Sequence, residues 1–163
     1  MLRDKNLIPL SRQHQHALAL CVRIDRASPI PDSDLAAWQT EIAQHFRAEI
    51  CFHFAAEEQF VFPPARMFPE LNLLVEELLL EHAWLRERFA KAESQSMVAA
   101  EVVEFSQKLS SHIRKEERQL FERLQEEMNE RDLTMLGRNL EDALTKAEQS
   151  CVVPAESARK REM

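Results

Sequence analysis

Apolar side chains return every three or four positions along most of this chain, in four long runs. Leu10, Ala17, Leu18 and Cys21 mark the first, and Leu35, Trp38, Ile42, Phe46, Ile50 and Phe60 the second. Leu71, Leu74, Val75, Leu78, Leu85 and Phe89 mark the third, and Val98, Val102, Phe105, Leu109 and Leu120 the fourth. That period belongs to amphipathic helices with one face turned to a core. Prolines stand only at 9, 29, 31, 63, 64, 69 and 154 and there is a single glycine, which leaves 32–62 and 70–153 free for long helices. No sheet is expected.

The first helix is expected from Pro9 or Ser11 to about Ala27, where Ser28-Pro29-Ile-Pro31 breaks it. Asp32, Ser33 and Asp34 offer caps and N-terminal negative charge to a second helix that Pro63 and Pro64 should end. A third is expected over about 70–93 and a fourth over about 97–128. Asn129, with Asp132 three residues on, should cap a fifth that runs to about Gln149 and lays Leu133, Leu136, Leu140 and Leu144 against the others. Connections this short make neighbours antiparallel. The expected fold is all-α, an up-down-up-down four-helix bundle with an additional C-terminal helix, in one domain over 1–149, followed by a polar, flexible tail over 150–163.

The polar residues that interrupt the stripes carry the chemistry. His53 and Glu57 continue the second stripe, His112 and Glu116 the fourth, and both lie in the same phrase, His-x-x-x-Glu-Glu. Four residues on a helix make one turn plus roughly 40°, so imidazole and carboxylate share a face about 6 Å apart. A single copy on a polar face would be an ordinary solvated pair. Two copies at core positions are different, because an uncompensated buried carboxylate costs several kcal/mol and a cation would compensate it. Packed face to face, two such helices supply the geometry of a dinuclear metal site. His82 lies on the third stripe, and on the first helix His14 has the apolar neighbours Leu10, Ala17, Leu18 and Cys21, whereas those of His16 are mixed. His14 is therefore taken as the inward residue, although a core histidine hydrogen-bonded to a neighbour would explain it if it stood alone. His45 lies eight residues before His53, about 12 Å along the axis and some 80° round it, so it should be a surface or interface residue paired with Glu49.

Charge and cysteines narrow the function class. A net charge of −7, with Arg159-Lys160-Arg161 as the basic cluster, argues against nucleic acid. No stretch approaches a membrane span and the first ten residues lack a signal-like apolar run, so no membrane partner and a cytoplasmic location are expected. Cys21, Cys51 and Cys151 are odd in number and far apart, which excludes a disulfide framework or a Cys-x-x-Cys site. Cys21 and Cys51 are expected to be buried, with Cys151 in the tail.

With a histidine on each of the four stripes, the chain resembles the hemerythrin-like, or HHE cation-binding, family over about residues 9–128. The resemblance rests on Leu10-Ser-Arg-Gln-His14, His53-Phe-Ala-Ala-Glu57-Glu58, Glu81-His82 with Leu85-Arg86, and His112-Ile-Arg-Lys-Glu116-Glu117. It implies a non-haem centre of two iron ions, oxo- or hydroxo-bridged, with Glu57 and Glu116 as bridging carboxylates and His14, His53, His82 and His112 as terminal ligands. Glu58 and Glu117 would be outer-sphere or solvent-facing. Oxygen-carrying hemerythrins have a second histidine four residues after the one on the third helix, where this chain has Arg86, which is expected to pair with Glu57 or Glu116 if it turns inward or with Glu81 if outward. They also use a five-residue step to an Asp on the fourth helix, a spacing that here falls on Glu117. The ligand set here is instead similar to the branch associated with iron sensing, oxidative or nitrosative stress and iron handling.

Imidazole and carboxylate together also suit Zn and Mn. The order His-x-x-x-Glu differs from the Glu-x-x-His of ferritin-like di-iron proteins, and the absence of tyrosine excludes a tyrosyl radical. With two histidines for each metal and both carboxylates shared, the two positions are expected to be coordinated nearly alike. The expected function is binding or sensing of O2, peroxide, NO or iron at this centre, with no dedicated catalytic residue; the sequence leaves open whether there is a protein partner. A metal-dependent oxidoreductase acting on small oxygen or nitrogen species, and a helical interaction module with a zinc-filled or empty site, are the alternatives.

Overall fold

A computed structural model describes the backbone of residues 1–159 and the side chains of residues 1–148. Those residues form five helices and no strand. Helix α1 spans Ile8–Ala27. Helix α2 begins as Asp32–His45 and continues without a break through Phe46–Ile50, Cys51–Ala56, Glu57–Val61 and Phe62–Ala65. Helix α3 spans Asn72–Glu93 and is entered through a 3-10 turn at Pro69–Leu71. Helix α4 begins as Ala99–Lys115 and continues through Glu116–Phe121 and Glu122–Glu127, and α5 spans Glu130–Arg159. The first four make the up-down-up-down bundle, with α1 against α4, α2 against α3 and α3 against α4; α5 packs on α1 and α2.

The helix ends follow local chemistry. Asn129 accepts the Asp132 N–H on Oδ1 at 2.9 Å and donates from Nδ2 to the Asp132 carboxylate at 2.8 Å, which starts α5. Leu133, Leu136, Leu140 and Leu144 of α5 are all buried. Before α4, the buried Gln39 of α2 accepts the Met97 N–H at 2.7 Å, and Glu101 accepts the Val98 N–H at 3.0 Å. Val98, expected on the apolar stripe, is thereby the exposed residue that precedes the helix. Helix α5 extends ten residues beyond the expected end at Gln149, to Arg159, and the last part of the expected tail, 160–163, lies outside the described residues.

Two departures have one cause. Phe46–Ile50 and Glu57–Val61 in α2 and Glu116–Phe121 in α4 are π turns, bonded i→i+5. A π turn moves the apolar face on by about one residue. Phe60, expected on the second stripe, is therefore only half-buried, while Val61 and Phe62 fill the core. Pro63 and Pro64 do not end α2, because they fall in the first turn of the new segment Phe62–Ala65, where missing N–H groups are tolerated.

The apolar interior is divided into two clusters. One contains Ala17, Leu20 and Ile24 of α1 with Phe54, Leu85, Phe89, Phe105, Leu109 and Ile113. The other contains Leu7 and Leu10 with Ala56, Val61, Phe62, Val75, Leu78, Leu120, Leu124 and the α5 leucines 136, 140 and 144. On α1 the break between them falls at His14, on α3 at His82, on α2 around His53 to Glu57 and on α4 between Ile113 and Leu120. No helix among the described residues is long and apolar enough to cross a membrane. Cys21 is buried and its thiol is pushed up to about 11, chiefly by burial. Cys51, expected to be buried, is instead half-exposed with its Sγ 3.7 Å from the Arg47 carbonyl, and the Cys151 side chain lies outside the described residues.

Candidate metal centre

Between the two apolar clusters lies a polar layer made by four histidines and two glutamates, none more than 4 % exposed. The helices bring together His14, His53, Glu57 and Glu116 as one group and Glu57, His82, His112 and Glu116 as a second; the ligand atoms within each group lie no more than 4.8 Å apart. Both groups contain both carboxylates. His53 Nε2 is 3.0 Å from Glu57 Oε1, and His112 Nε2 is 3.0 Å from Glu116 Oε1, as the one-turn spacing requires. Across the bundle His14 Nε2 stands 3.1 Å from Glu116 Oε2, and His82 Nε2 stands 3.3 Å from Glu57 Oε2. Each shared carboxylate begins a π turn, a feature that recurs at functional sites in helical proteins. His14 enters this layer, whereas His16 is an exposed residue 3.0 Å from Glu49.

Every imidazole turns Nε2 inward and Nδ1 outward, and every Nδ1 has its own acceptor. Glu117 accepts from His14 at 2.7 Å, Glu58 from His82 at 2.9 Å and Glu81 from His112 at 2.7 Å. The fourth acceptor is an amide: Gln13 Oε1 lies 2.8 Å from His53 Nδ1. An N–H held outward in this way leaves the Nε2 lone pair free, which is the tautomer a metal requires. The three carboxylates are tied in turn to cations, Glu117 to Arg3 at 2.7 Å, Glu58 to Arg86 at 2.6 Å and Glu81 to Lys115.

The inner atoms lack what the outer ones have. Both oxygens of Glu57, both oxygens of Glu116, and Nε2 of His82 and His112 are buried without a hydrogen-bond partner. Such groups are costly unless a cation satisfies them. Burial is the largest influence on His14, His82 and His112 and opposes their charge. The carboxylates outweigh it: Glu116 and Glu117 lift His14 to about 10, and Glu116, Glu57 and Glu58 lift His82 to about 11. His112 is raised by Glu116 and Glu81 against the same burial. Burial raises both carboxylates, and Glu116 raises Glu57 further, but His53 and His82 hold Glu57, and His112, His14 and His82 hold Glu116, below the usual carboxylate range. A layer that draws protons onto His14, His82 and His112 calls for positive charge, and divalent cations at the two groups would supply it. The donor set of imidazole nitrogen and carboxylate oxygen fits Fe, Mn or Zn.

Residues 9–124 match the family model for the hemerythrin HHE cation-binding domain, a span that takes in all six inner residues. The chain belongs to that family. No curated protein and no solved structure gives a significant match. The HHE domain therefore combines a family-level capacity for cation binding with buried His/Glu clusters compatible with it.

Some outer residues of this HHE domain differ from expectation. Arg86 was expected beside Glu57, Glu116 or Glu81, but it pairs with Glu58 and lies over the Phe54 ring at 5.4 Å. One step of helix separates Glu58 from Glu57 by about 100°, which turns it out of the layer toward α3. His45 is not paired with Glu49, which His16 takes; it is half-buried, and burial lowers its pKa. Gln13 and Glu81 have outer roles that periodicity did not single out. Their signal was adjacency, since each immediately precedes an inner histidine, in Gln13-His14 and Glu81-His82.

Proposed function

We propose that this HHE domain holds a non-haem di-iron centre that binds or senses O2, peroxide, NO or iron itself and does not carry O2 reversibly. One ion would be held by His14 and His53, the other by His82 and His112, with Glu57 and Glu116 shared. The observation that supports this reading is the convergence of unpartnered carboxylate oxygens and inward Nε2 atoms in one layer while every Nδ1 is held outward. Iron in such a place supplies exchangeable positions and a change of oxidation state. The protein orients the imidazoles and shields them with aromatic rings. Phe54 stacks on His82 with ring centroids 3.8 Å apart, and Phe121 on His14 at 5.5 Å.

The size of the approach supports a small ligand. A cavity of about 10 Å³ is lined by His14, His53, His112 and Glu116 together with Gln13, Glu49 and Ile50. That is room for about one water-sized molecule and not for an organic substrate. Arg86 supports the departure from oxygen carriage, because a guanidinium does not ligate iron and this one is engaged by Glu58. Reversible carriage needs one saturated and one open iron, and no third histidine is present to saturate one.

Elemental analysis of protein purified without added metal should find iron near two ions per chain. The anaerobic reduced protein, exposed to O2 and followed in the visible, should oxidise without a coloured form that bleaches again when oxygen is withdrawn. A colour that comes and goes with oxygen over repeated cycles would overturn this reading, and zinc as the resident metal would favour the interaction-module alternative.

A further inference from the structure

The metal layer has an internal two-fold correspondence with one break in it. Gln13-His14 on α1 corresponds to Glu81-His82 on α3, and His53, Glu57 and Glu58 on α2 correspond to His112, Glu116 and Glu117 on α4. The contacts obey it: Glu117 behind His14 matches Glu58 behind His82, and Gln13 behind His53 matches Glu81 behind His112. Three histidines are thus backed by a carboxylate and one by a neutral amide.

We infer that the two metal positions are inequivalent and that Gln13 makes the His14–His53 position the weaker, filled last and emptied first. This rests on the dinuclear reading above. When an Nε2 lone pair is given to a cation, positive charge develops on the ring, and a carboxylate at Nδ1 stabilises that charge while an amide oxygen offers only a dipole. The Gln13 contact, at 2.8 Å, still fixes the ring and its tautomer. Geometry is kept and charge is not, so the consequence falls on affinity. Ion pairing to Arg3, Arg86 and Lys115 does not distinguish among the three carboxylates, because each has one such partner. Glu49, which shares the cavity wall with Gln13, is engaged by His16. The cavity touches both histidines of the weaker position but, of the other pair, only His112. The position that a small ligand reaches is therefore also the one whose occupancy responds to metal supply, with the His82–His112 position retaining its ion.

Anaerobic titration of the metal-free protein with Fe(II), read by calorimetry and by equilibrium dialysis, tests this. Repulsion between two cations separates the steps even in a symmetric centre, so the diagnostic is which step each variant moves. Gln13→Glu should tighten the second step by about 10–100-fold and leave the first in place; Glu81→Gln should weaken the first by a similar factor and leave the second. Circular dichroism checks that each variant is folded, and either one alone is decisive. If Gln13→Glu tightens the first step, or if a folded variant moves neither step while two ions still bind, the inference is overturned and the dinuclear reading stands. Uptake of a single ion by the unaltered protein would overturn both.

Discussion

Replacing Glu116 with Gln should abolish the stabilisation that metal confers, not halve it. The Glu116 carboxylate reaches both halves of the centre: its oxygens lie 3.1 Å from His14 Nε2 and 3.0 Å from His112 Nε2. It belongs to both candidate ligand groups, as does Glu57. An ion that binds only the folded state at a free concentration about 100 times its Kd stabilises by roughly 2.7 kcal/mol, so two ions contribute about 5 kcal/mol. For a domain of this size each kcal/mol moves Tm by roughly 2–4 °C, and a rise of about 10–20 °C is expected between the metal-free and fully loaded protein. Glutamine keeps the shape and removes the shared charge. Melting curves of the unaltered protein and Glu116→Gln, each measured metal-free and loaded and each compared with its own metal-free form, give the increment. Should Glu116→Gln retain half of it or more, the carboxylate serves one ion or none and the shared-ligand geometry is wrong.

His45→Ala should leave metal content unchanged while His112→Ala lowers it, measured by elemental analysis after dialysis; equal losses would mean that His45 also serves the metal and that the second helix is assigned wrongly. Gly137→Ala should destabilise the fold by about 1–3 kcal/mol in denaturant titrations, because a Cβ there would stand 2.2 Å from Asn6 Oδ1 and 2.8 Å from Asn6 Cβ, forcing the N-terminal segment away from α5. An unchanged midpoint would show that α5 does not pack against that segment.

The bundle was legible because its stripes are long and its breakers few. Proline positions bounded the helices to within a few residues, and Asn129 with Asp132 marked the start of α5 through the side-chain bonds that the structure contains. The π turns were not legible, because an i→i+5 turn changes the phase of the apolar pattern by only one residue and leaves its period almost intact. Phe60 was placed on the stripe for that reason, and Pro63 was taken as a stop. Periodicity and the repeated phrase singled out the inner histidines and carboxylates, while their outer partners depended on contacts between helices. Glu58 serves a histidine 24 residues away and Glu117 one 103 residues away. Nothing in the spacing along one helix encodes those distances, and Arg86 was not assigned to Glu58 because which of the adjacent Glu57 and Glu58 turns toward α3 is set by the packing of the two helices.

The doubled glutamate of each His-x-x-x-Glu-Glu phrase has a physical explanation in this arrangement. Consecutive residues on a helix point about 100° apart, so if the first carboxylate faces the bundle axis the second faces the neighbouring helix. Glu57 enters the shared layer while Glu58 reaches the outer nitrogen of His82, and Glu116 enters it while Glu117 reaches that of His14. One dipeptide thus presents an inner carboxylate to the layer and fixes the tautomer of a histidine on another helix. The inner carboxylate gains from the outer one, because an imidazole whose N–H is tied outward cannot turn that N–H inward to satisfy the buried oxygens, and those oxygens are left for a cation. The π turn that begins at the inner glutamate then shifts the apolar face by one residue, so that Val61 and Phe62 on α2, and Leu120 and Phe121 on α4, close the core directly beyond the polar layer. Apolar side chains thereby bound the layer in which Glu57 and Glu116 provide oxygen lone pairs without a hydrogen-bond partner.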